Sequence, residues 1–379
     1  MSTQTNRLRE LDFLRGIAIV LVIFRHKEIF HFLEQMGWIG VDLFFVLSGF
    51  LVSGLLFREY QKFGNIKPKL FLIRRGFKIY PIYYLTYLVY MLPRIILHKK
   101  DIANCFYDLV FVQNYFLGWG YAYAASWSLA VEEHFYFGLA LLLWLIFNKK
   151  IIQFNLNPRA TKITLFEKII FSILIITLLL RVYNNIYLPE QNVKNMTMTH
   201  LRIDSLLFGV LISYWFHFRR ETLTKIYSKY QRIFLITSFL LLSFTPFFEP
   251  LETFFIMTIG FSMLYIAFGI ILIHFLVSPN INQQLNTIFS KRIVDFVSKI
   301  GYCSYSIYVI HTFVIYCESF LRIENKFLGF TLVFLGSIVA GFVMTYTIED
   351  YFLKIRNKLF PNRFYSNLLI IPTAKTFIS

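Results

Sequence analysis

An arginine and a histidine, Arg15 and His26, stand eleven positions apart in a stretch from Leu11 to Phe32 that is otherwise mostly Leu, Ile, Val, Phe, Ala and Gly. Ionisable side chains inside an apolar span are costly to place there and mark substrate paths or proton-handling sites. In a helix, eleven residues bring the chain back to within about 20° of its starting direction, about 16 Å further along the axis. Asp12, Arg15, Ile19, Val22 and His26 therefore share one stripe, with a strong cation at one depth and an imidazole at another. An imidazole titrates near neutrality and can act as a general base, and a guanidinium can hold a phosphate or a developing oxyanion. Taken singly, the pair has plainer readings, an interfacial histidine and an arginine that snorkels to the surface.

Further groups of the same kind recur downstream. Gly40-Val41-Asp42 brings a carboxylate into the start of a second apolar span, followed by Ser48, Gly49, Ser53 and Gly54, which allow helices to pack closely. Arg74, Arg75 and Lys78 cluster just before a third span. They read either as an ordinary cationic flank or as a phosphate grip, because guanidinium forks match phosphate oxygens. Trp127 to Tyr136 opens a fourth span with Glu132, Glu133 and His134 in its first turns. Acids there suit the helix dipole, but Glu132, Glu133 and His134 cannot all share one face, so at least one points inward. His200, Arg202, Asp204 and His311 complete the set; Arg202 and Asp204 can simply neutralise each other, and His311 can be a satisfied core histidine.

The elements that must position these groups follow from composition. The chain has 379 residues, 57% hydrophobic, 20% aromatic and only 16% charged. A soluble domain carries about a quarter charged residues, so this is an integral membrane protein. Apolar stretches of spanning length begin near Leu11, Trp38, Ile79, Trp127, Ile169, Leu201, Ile233, Phe254, Ser304 and Phe327, and end near Phe32, Phe57, Leu97, Phe147, Tyr187, Phe218, Phe248, Val277, Phe320 and Ile348. Cys105 to Phe116 is apolar but too short to cross, and is expected at the outer interface or re-entering. No small-residue cleavage site follows the first apolar segment, which is expected to remain as a helix.

The net charge of +17 raises the possibility of a nucleic-acid partner, but Lys and Arg gather between apolar segments rather than along one basic face, which argues for no nucleic acid. Of the 38 Lys and Arg, 27 fall on the side that holds the N-terminus, against Lys99, Lys100, Lys194, Arg322 and Lys326 on the other. Positive charge marks the cytoplasmic face, so both termini are expected there. The fold class read from these features is all-α, a multi-pass transmembrane bundle of about ten helices, with residues 1–350 as one membrane domain and 351–379 as a cytoplasmic tail. Cys105, Cys303 and Cys317 have no metal-type spacing and are odd in number, so they read as packing residues, with no metal site and no disulfide framework.

Taken in order, Leu11-Asp12-Phe13-Leu14-Arg15-Gly16 with His26, Gly40-Val41-Asp42-Leu43-Phe44-Phe45-Val46-Leu47-Ser48-Gly49-Phe50 and Trp127-Ser128-Leu129-Ala130-Val131-Glu132-Glu133 resemble the acyltransferase 3 family of membrane carbohydrate O-acyltransferases. Arg202 to Gly209 and Ser304 to His311 extend the resemblance over about the first 350 residues. It implies an enzyme of the plasma (inner) membrane that takes an acyl group, commonly acetyl, from cytoplasmic acyl-CoA and delivers it to a hydroxyl of a surface or exported carbohydrate. No permanently bound cofactor is implied; acyl-CoA is the donor substrate.

On that footing His26 acts as base or as transient acyl carrier, and a carboxylate, Asp42 or Glu132, orients its ring. Arg15 holds the thioester oxygen or a phosphate, and Arg74, Arg75 and Lys78 hold the CoA phosphates. Three positions depart from the family pattern: Lys78 stands where a second Arg is usual, His134 replaces a common Gln, and Glu349-Asp350-Tyr351 lacks a Pro. The hydrolase-like domain of some relatives has no counterpart, so transfer is expected to finish in the membrane unit or pass to another protein. A transporter or flippase for a glycan or lipid-linked sugar, and a non-catalytic polysaccharide export accessory, are the competing readings, since each would also line a path with intramembrane charge.

Overall fold

The computed structural model describes residues 8–96, 103–151 and 163–366. The expected third-span end at Leu97, Lys99 and Lys100, and tail residues 367–379, lie outside the described residues. Among the described residues there are helices, turns and no strand. Among these residues a helix lies at each expected apolar run: α1 Arg9–His26, α2 Gly40–Phe63, α3 Pro68–Ile96, α4 Trp127–Phe147, α5 Leu165–Tyr187, α6 Thr199–Phe218, α7 Arg220–Leu242, α8 Phe261–Val277, α9 Ser304–Ser319 and α10 Lys326–Met344. Among the described residues four helical stretches, those containing α2, α4, α8 and α10, are long and apolar enough to cross a membrane by themselves. The bent pair Lys291–Tyr302 and α9, angled at 79°, adds a fifth when taken as one span. We call the end of the bundle that carries the start of α1 the inner end, following the charge map.

Several boundaries differ from the apolar runs, each for a physical reason. The first helix ends at His26 rather than Phe32, because Lys27 turns into extended backbone and the polar run that follows finds partners on other elements. Lys27 Nζ lies 2.7 Å from Glu318 at the end of α9, and Lys326 Nζ lies 3.1 Å from Glu28 at the start of α10. α3 begins eleven residues before the apolar run, at Pro68, a residue pre-set for a first helical turn. Arg74, Arg75 and Lys78 are therefore helical. α7 spans Arg220–Leu242 with a kink at Tyr230, so its polar first half extends beyond the expected Ile233 start.

Cys105–Leu109 and Gln113–Phe116 are two short helices, and buried Asp108 ties the first to the loop that follows the second by accepting from the amides of Tyr121 and Ala122 at 3.0 and 2.7 Å. Cys105 and Cys303 are buried, whereas Cys317 is exposed and so is not the packing residue its sequence context suggests; none is in a disulfide.

Small residues set the closest approaches. α2 and α6 form the most extensive helix pair. A Cβ on Gly49 would fall inside contact distance of the Leu206 carbonyl, and one on Gly209 would meet the Val46 carbonyl. Backbones this close exchange dense van der Waals contact, the main packing force available where lipid is as apolar as the side chains. The helix Lys291–Tyr302 lies equally close to α1, with Gly301 against the Asp12 carbonyl. This contact fixes where the Arg15 face of α1 meets the start of α9.

Candidate active site

The inward stripe of α1 is buried at Asp12, Ile19 and Val22, and its two chemical residues open into different cavities. Arg15, partway along α1, lines an inner cavity of about 100 Å3. Its Nη2 donates to Ser304 Oγ at 3.0 Å, at the bend where α9 begins. Arg75 and Lys78 from α3 and Glu132 from α4 line the same cavity.

The wall opposite Arg15 is a connected polar chain. The Arg75 guanidinium sits 4.5 Å from the centre of the Tyr136 ring, and the Tyr136 hydroxyl donates to Glu132 Oε2 at 2.6 Å. With that proton committed, Ser48 Oγ, 3.0 Å away, is the donor to the Tyr136 oxygen. Lys78 Nζ lies 3.5 Å from Glu349, which the π-helical segment Thr345–Glu349 at the end of α10 turns toward it. Glu132 and Glu133 divide their tasks. Glu132 faces the cavity, whereas Glu133 is buried and accepts from Tyr80 at 2.9 Å, joining α4 to α3.

Arg74 is not part of this group. Adjacent helical residues point about 100° apart, so Arg74 and Arg75 cannot both face the cavity. Arg74 donates instead to the Phe360 carbonyl at the end of the helix Asp350–Leu359.

His26 closes α1 and opens into an outer cavity of about 270 Å3, with Trp38, Asp42, Trp119, Trp127 and Arg202 around it. Arg25 and Glu249 pair at its wall. Asp42 does not touch His26 through any hydrogen bond among the described residues. Its Oδ1 takes Arg202 at 2.7 Å and Ser205 Oγ at 3.3 Å. Next to this pair a second one, Arg181 to Asp204 at 2.7 Å, is completely buried, and Arg181 also donates to Ser262 Oγ. The Arg202 guanidinium stacks 3.5 Å from the Phe261 ring centre. Charges removed from water this far persist only when paired and hydrogen-bonded, so the four residues act as a clamp joining α2, α5, α6 and α8.

Val41 and Tyr308 line both cavities, so the inner and outer chambers abut across these two side chains. Tyr308 is held there by Ser128 Oγ at 2.6 Å and by donation to the Ala125 carbonyl at 2.9 Å. The structure thus gathers Arg15, Arg75, Lys78 and Glu132 around one chamber and His26 with Asp42 around its neighbour. Sequence reasoning missed Tyr136, Ser304, Tyr308 and Glu249. Tyr136 carried a usable signal, since it lies four residues after Glu132 on the same helix face. Tyr308 likewise stands three residues before His311. Glu249 is reached only through the fold. A separate trio, Glu28, His31 and Glu34, has a spacing able to hold a metal ion but lines neither cavity.

The sequence pattern of the acyltransferase 3 family, described as an acyltransferase domain, matches residues 8–348. The chain is 30% identical over 164 residues to the peptidoglycan O-acetyltransferase OatA of Listeria monocytogenes, 39% of this chain and 25% of that one. A putative O-acetyltransferase of Staphylococcus aureus is 33% identical over 150 residues, 35% of this chain and 24% of its own length. A putative membrane-bound transacylase, BcsY of Komagataeibacter xylinus, is 34% identical over 169 residues, 39% of this chain and 41% of its own. The matched stretch thus spans about a quarter of the length of the first two relatives. No solved structure matches.

Proposed function

The chain belongs to the acyltransferase 3 family, and from that premise we propose that it moves an acyl group, acetyl by preference, from cytoplasmic acyl-CoA to a hydroxyl of a surface or exported carbohydrate, as a multi-pass enzyme of the plasma membrane with both termini inside. The observation that supports this reading best is the pair of abutting chambers, cationic on the inner side and holding an imidazole on the outer side.

In this reading Arg75 and Lys78 receive CoA phosphates, and Lys78 exchanges Glu349 for the ligand. Arg75 offers a guanidinium fork and Lys78 a point charge, which together suit a diphosphate. The pantetheine arm extends past Arg15 toward Val41 and Tyr308 and brings the thioester to the junction of the chambers. The acceptor hydroxyl enters from the outer cavity. Its oxygen forms a bond to the thioester carbonyl carbon while His26 takes its proton. Arg15 stabilises charge on the carbonyl oxygen, the C–S bond breaks, and the CoA thiolate leaves on the inner side and is protonated there. Glu132 and Tyr136 hold the Arg75 guanidinium in place and so act on the donor, whereas Asp42 holds the wall of the acceptor chamber.

The test is transfer of label from acetyl-CoA to surface glycan by wild type and His26→Ala at equal abundance. Removing a general base lowers the rate by about 10^2- to 10^4-fold. Labelling that is unchanged removes His26 from the reaction, and labelling that never depends on the protein favours transport.

A further inference from the structure

His26 needs a partner that fixes its ring, and the two carboxylates that the sequence offers for that role are engaged elsewhere, Asp42 by Arg202 and Glu132 by Tyr136. A second imidazole stands behind it. His311, in the middle of α9, is completely buried, and its ring centre lies 5.0 Å from that of His26, with 47° between the planes. His311 lines neither cavity, so it faces His26 rather than either substrate chamber.

The protonation of His311 follows from its neighbours. Its Nδ1 lies 2.6 Å from the Tyr308 carbonyl oxygen, which can only accept, so Nδ1 carries the hydrogen. In a neutral ring Nε2 is then a bare acceptor. That atom is buried and has no hydrogen-bond partner among the described residues. An unmet buried acceptor costs about 1 to 3 kcal/mol, so this atom is a site where a donor would be stabilising. The separation of the rings fits one donor. An imidazole nitrogen lies about 1.1 Å from its ring centre, so two rings joined by a hydrogen bond of about 3 Å have centres about 5 Å apart. Rotation of the His26 ring, which lines the outer cavity, can turn one of its nitrogens toward His311.

We propose that His311 is the positioning residue of His26: its bare Nε2 accepts the ring N–H of His26 and leaves the other His26 nitrogen unprotonated and directed into the outer cavity. The inference rests on the reading of His26 as the base. It gives Tyr308 a double part, since one residue closes the junction of the two chambers with its side chain and sets the His311 tautomer with its carbonyl.

Two substitutions separate positioning from packing. His311→Asn places an amide N–H where Nδ1 stands and keeps the bond to the Tyr308 carbonyl, but leaves no acceptor at the Nε2 position. His311→Gln places its terminal amide at the Nε2 position, where the oxygen can face His26. Purified protein in detergent, assayed with acetyl-CoA and an acetyl-accepting glycan, should show kcat of His311→Asn reduced roughly 10-fold or more, with KM for acetyl-CoA unchanged, and partial recovery in His311→Gln. A kcat for His311→Asn equal to wild type overturns the proposal and leaves the acyltransferase reading standing. Equal losses in both variants, accompanied by a lowered unfolding temperature, also overturn it, in favour of a packing role. Absence of acetyl transfer by wild type overturns both readings together.

Discussion

The two chambers treat buried charge in opposite ways. Around the outer one, Asp42, Arg202, Arg181 and Asp204 pair with each other across three helices and are fully removed from solvent. Around the inner one, Arg75 faces an aromatic ring and a cavity, and Lys78, on the same cavity wall, lies 3.5 Å from Glu349 of the segment that follows α10. The first arrangement pairs each charge with an opposite one and sets helix positions. The second leaves cationic edges on a cavity wall, which is what a site for an anion requires. An intramembrane charge is therefore informative about chemistry only after its partner is known, and Asp42, singled out from sequence as a carboxylate in apolar surroundings, belongs first to the clamp.

The largest effect expected from this contrast is on folding. Arg202→Ala leaves Asp42 buried opposite a cavity, and losing one partner of a buried pair costs roughly 3 to 5 kcal/mol. Folded protein recovered from membranes should fall sharply, and the unfolding temperature of what remains should drop. The double variant Asp42→Asn with Arg202→Gln keeps the shape and a hydrogen bond without the charges, and should recover most of the loss. Should Arg202→Ala fold like wild type while losing activity, the pair would belong to catalysis and the contrast between the chambers would dissolve.

That contrast was only partly legible in the sequence. Each apolar run locates a helix because length and apolarity are local properties. Where those runs stop was read less well, because α1 ends when Lys27 and Glu28 find Glu318 and Lys326, almost three hundred residues away. The Arg15 and His26 stripe followed from helical periodicity alone, and periodicity also foretold that Glu132 and Glu133 diverge. It did not foretell that a chamber junction at Val41 and Tyr308 lies between the Arg15 and His26 ends of the stripe, since a cavity is a property of several helices at once. Arg202 was read as balanced by its neighbour Asp204, two residues on, but a helix points such residues apart, and each found a partner on another helix.

Within the inner chamber the expected effects are on donor affinity. Arg75→Ala removes the fork that faces the cavity and should raise Kd for acetyl-CoA roughly 10-fold, equivalent to about 1.4 kcal/mol, with the unfolding temperature little changed. Lys78→Ala should act in the same direction but less, because the same change also frees Glu349 from its partner and removes a charge already partly neutralised. Titration of purified protein with acetyl-CoA measures both. Unchanged affinity in both variants removes the phosphate grip.

The smallest expected effect falls on the residue that composition makes indistinguishable from these two. Arg74 belongs to the same cationic run, yet its guanidinium serves the carbonyl of Phe360 and approaches Asn357 at 3.4 Å. Arg74→Ala therefore removes a support of the helix Asp350–Leu359 worth about 1 kcal/mol and leaves the cavity wall intact. Affinity for acetyl-CoA should stay within about twofold of wild type, a difference of about 0.4 kcal/mol. The comparison of Arg74→Ala with Arg75→Ala is the sharpest available, because the two changes are identical in chemistry and differ only in the direction the helix gives them. Equal loss of donor affinity in both would mean that bulk positive charge at the inner face, rather than a built chamber, draws the donor in, and raising the salt concentration would then abolish the binding in wild type as well.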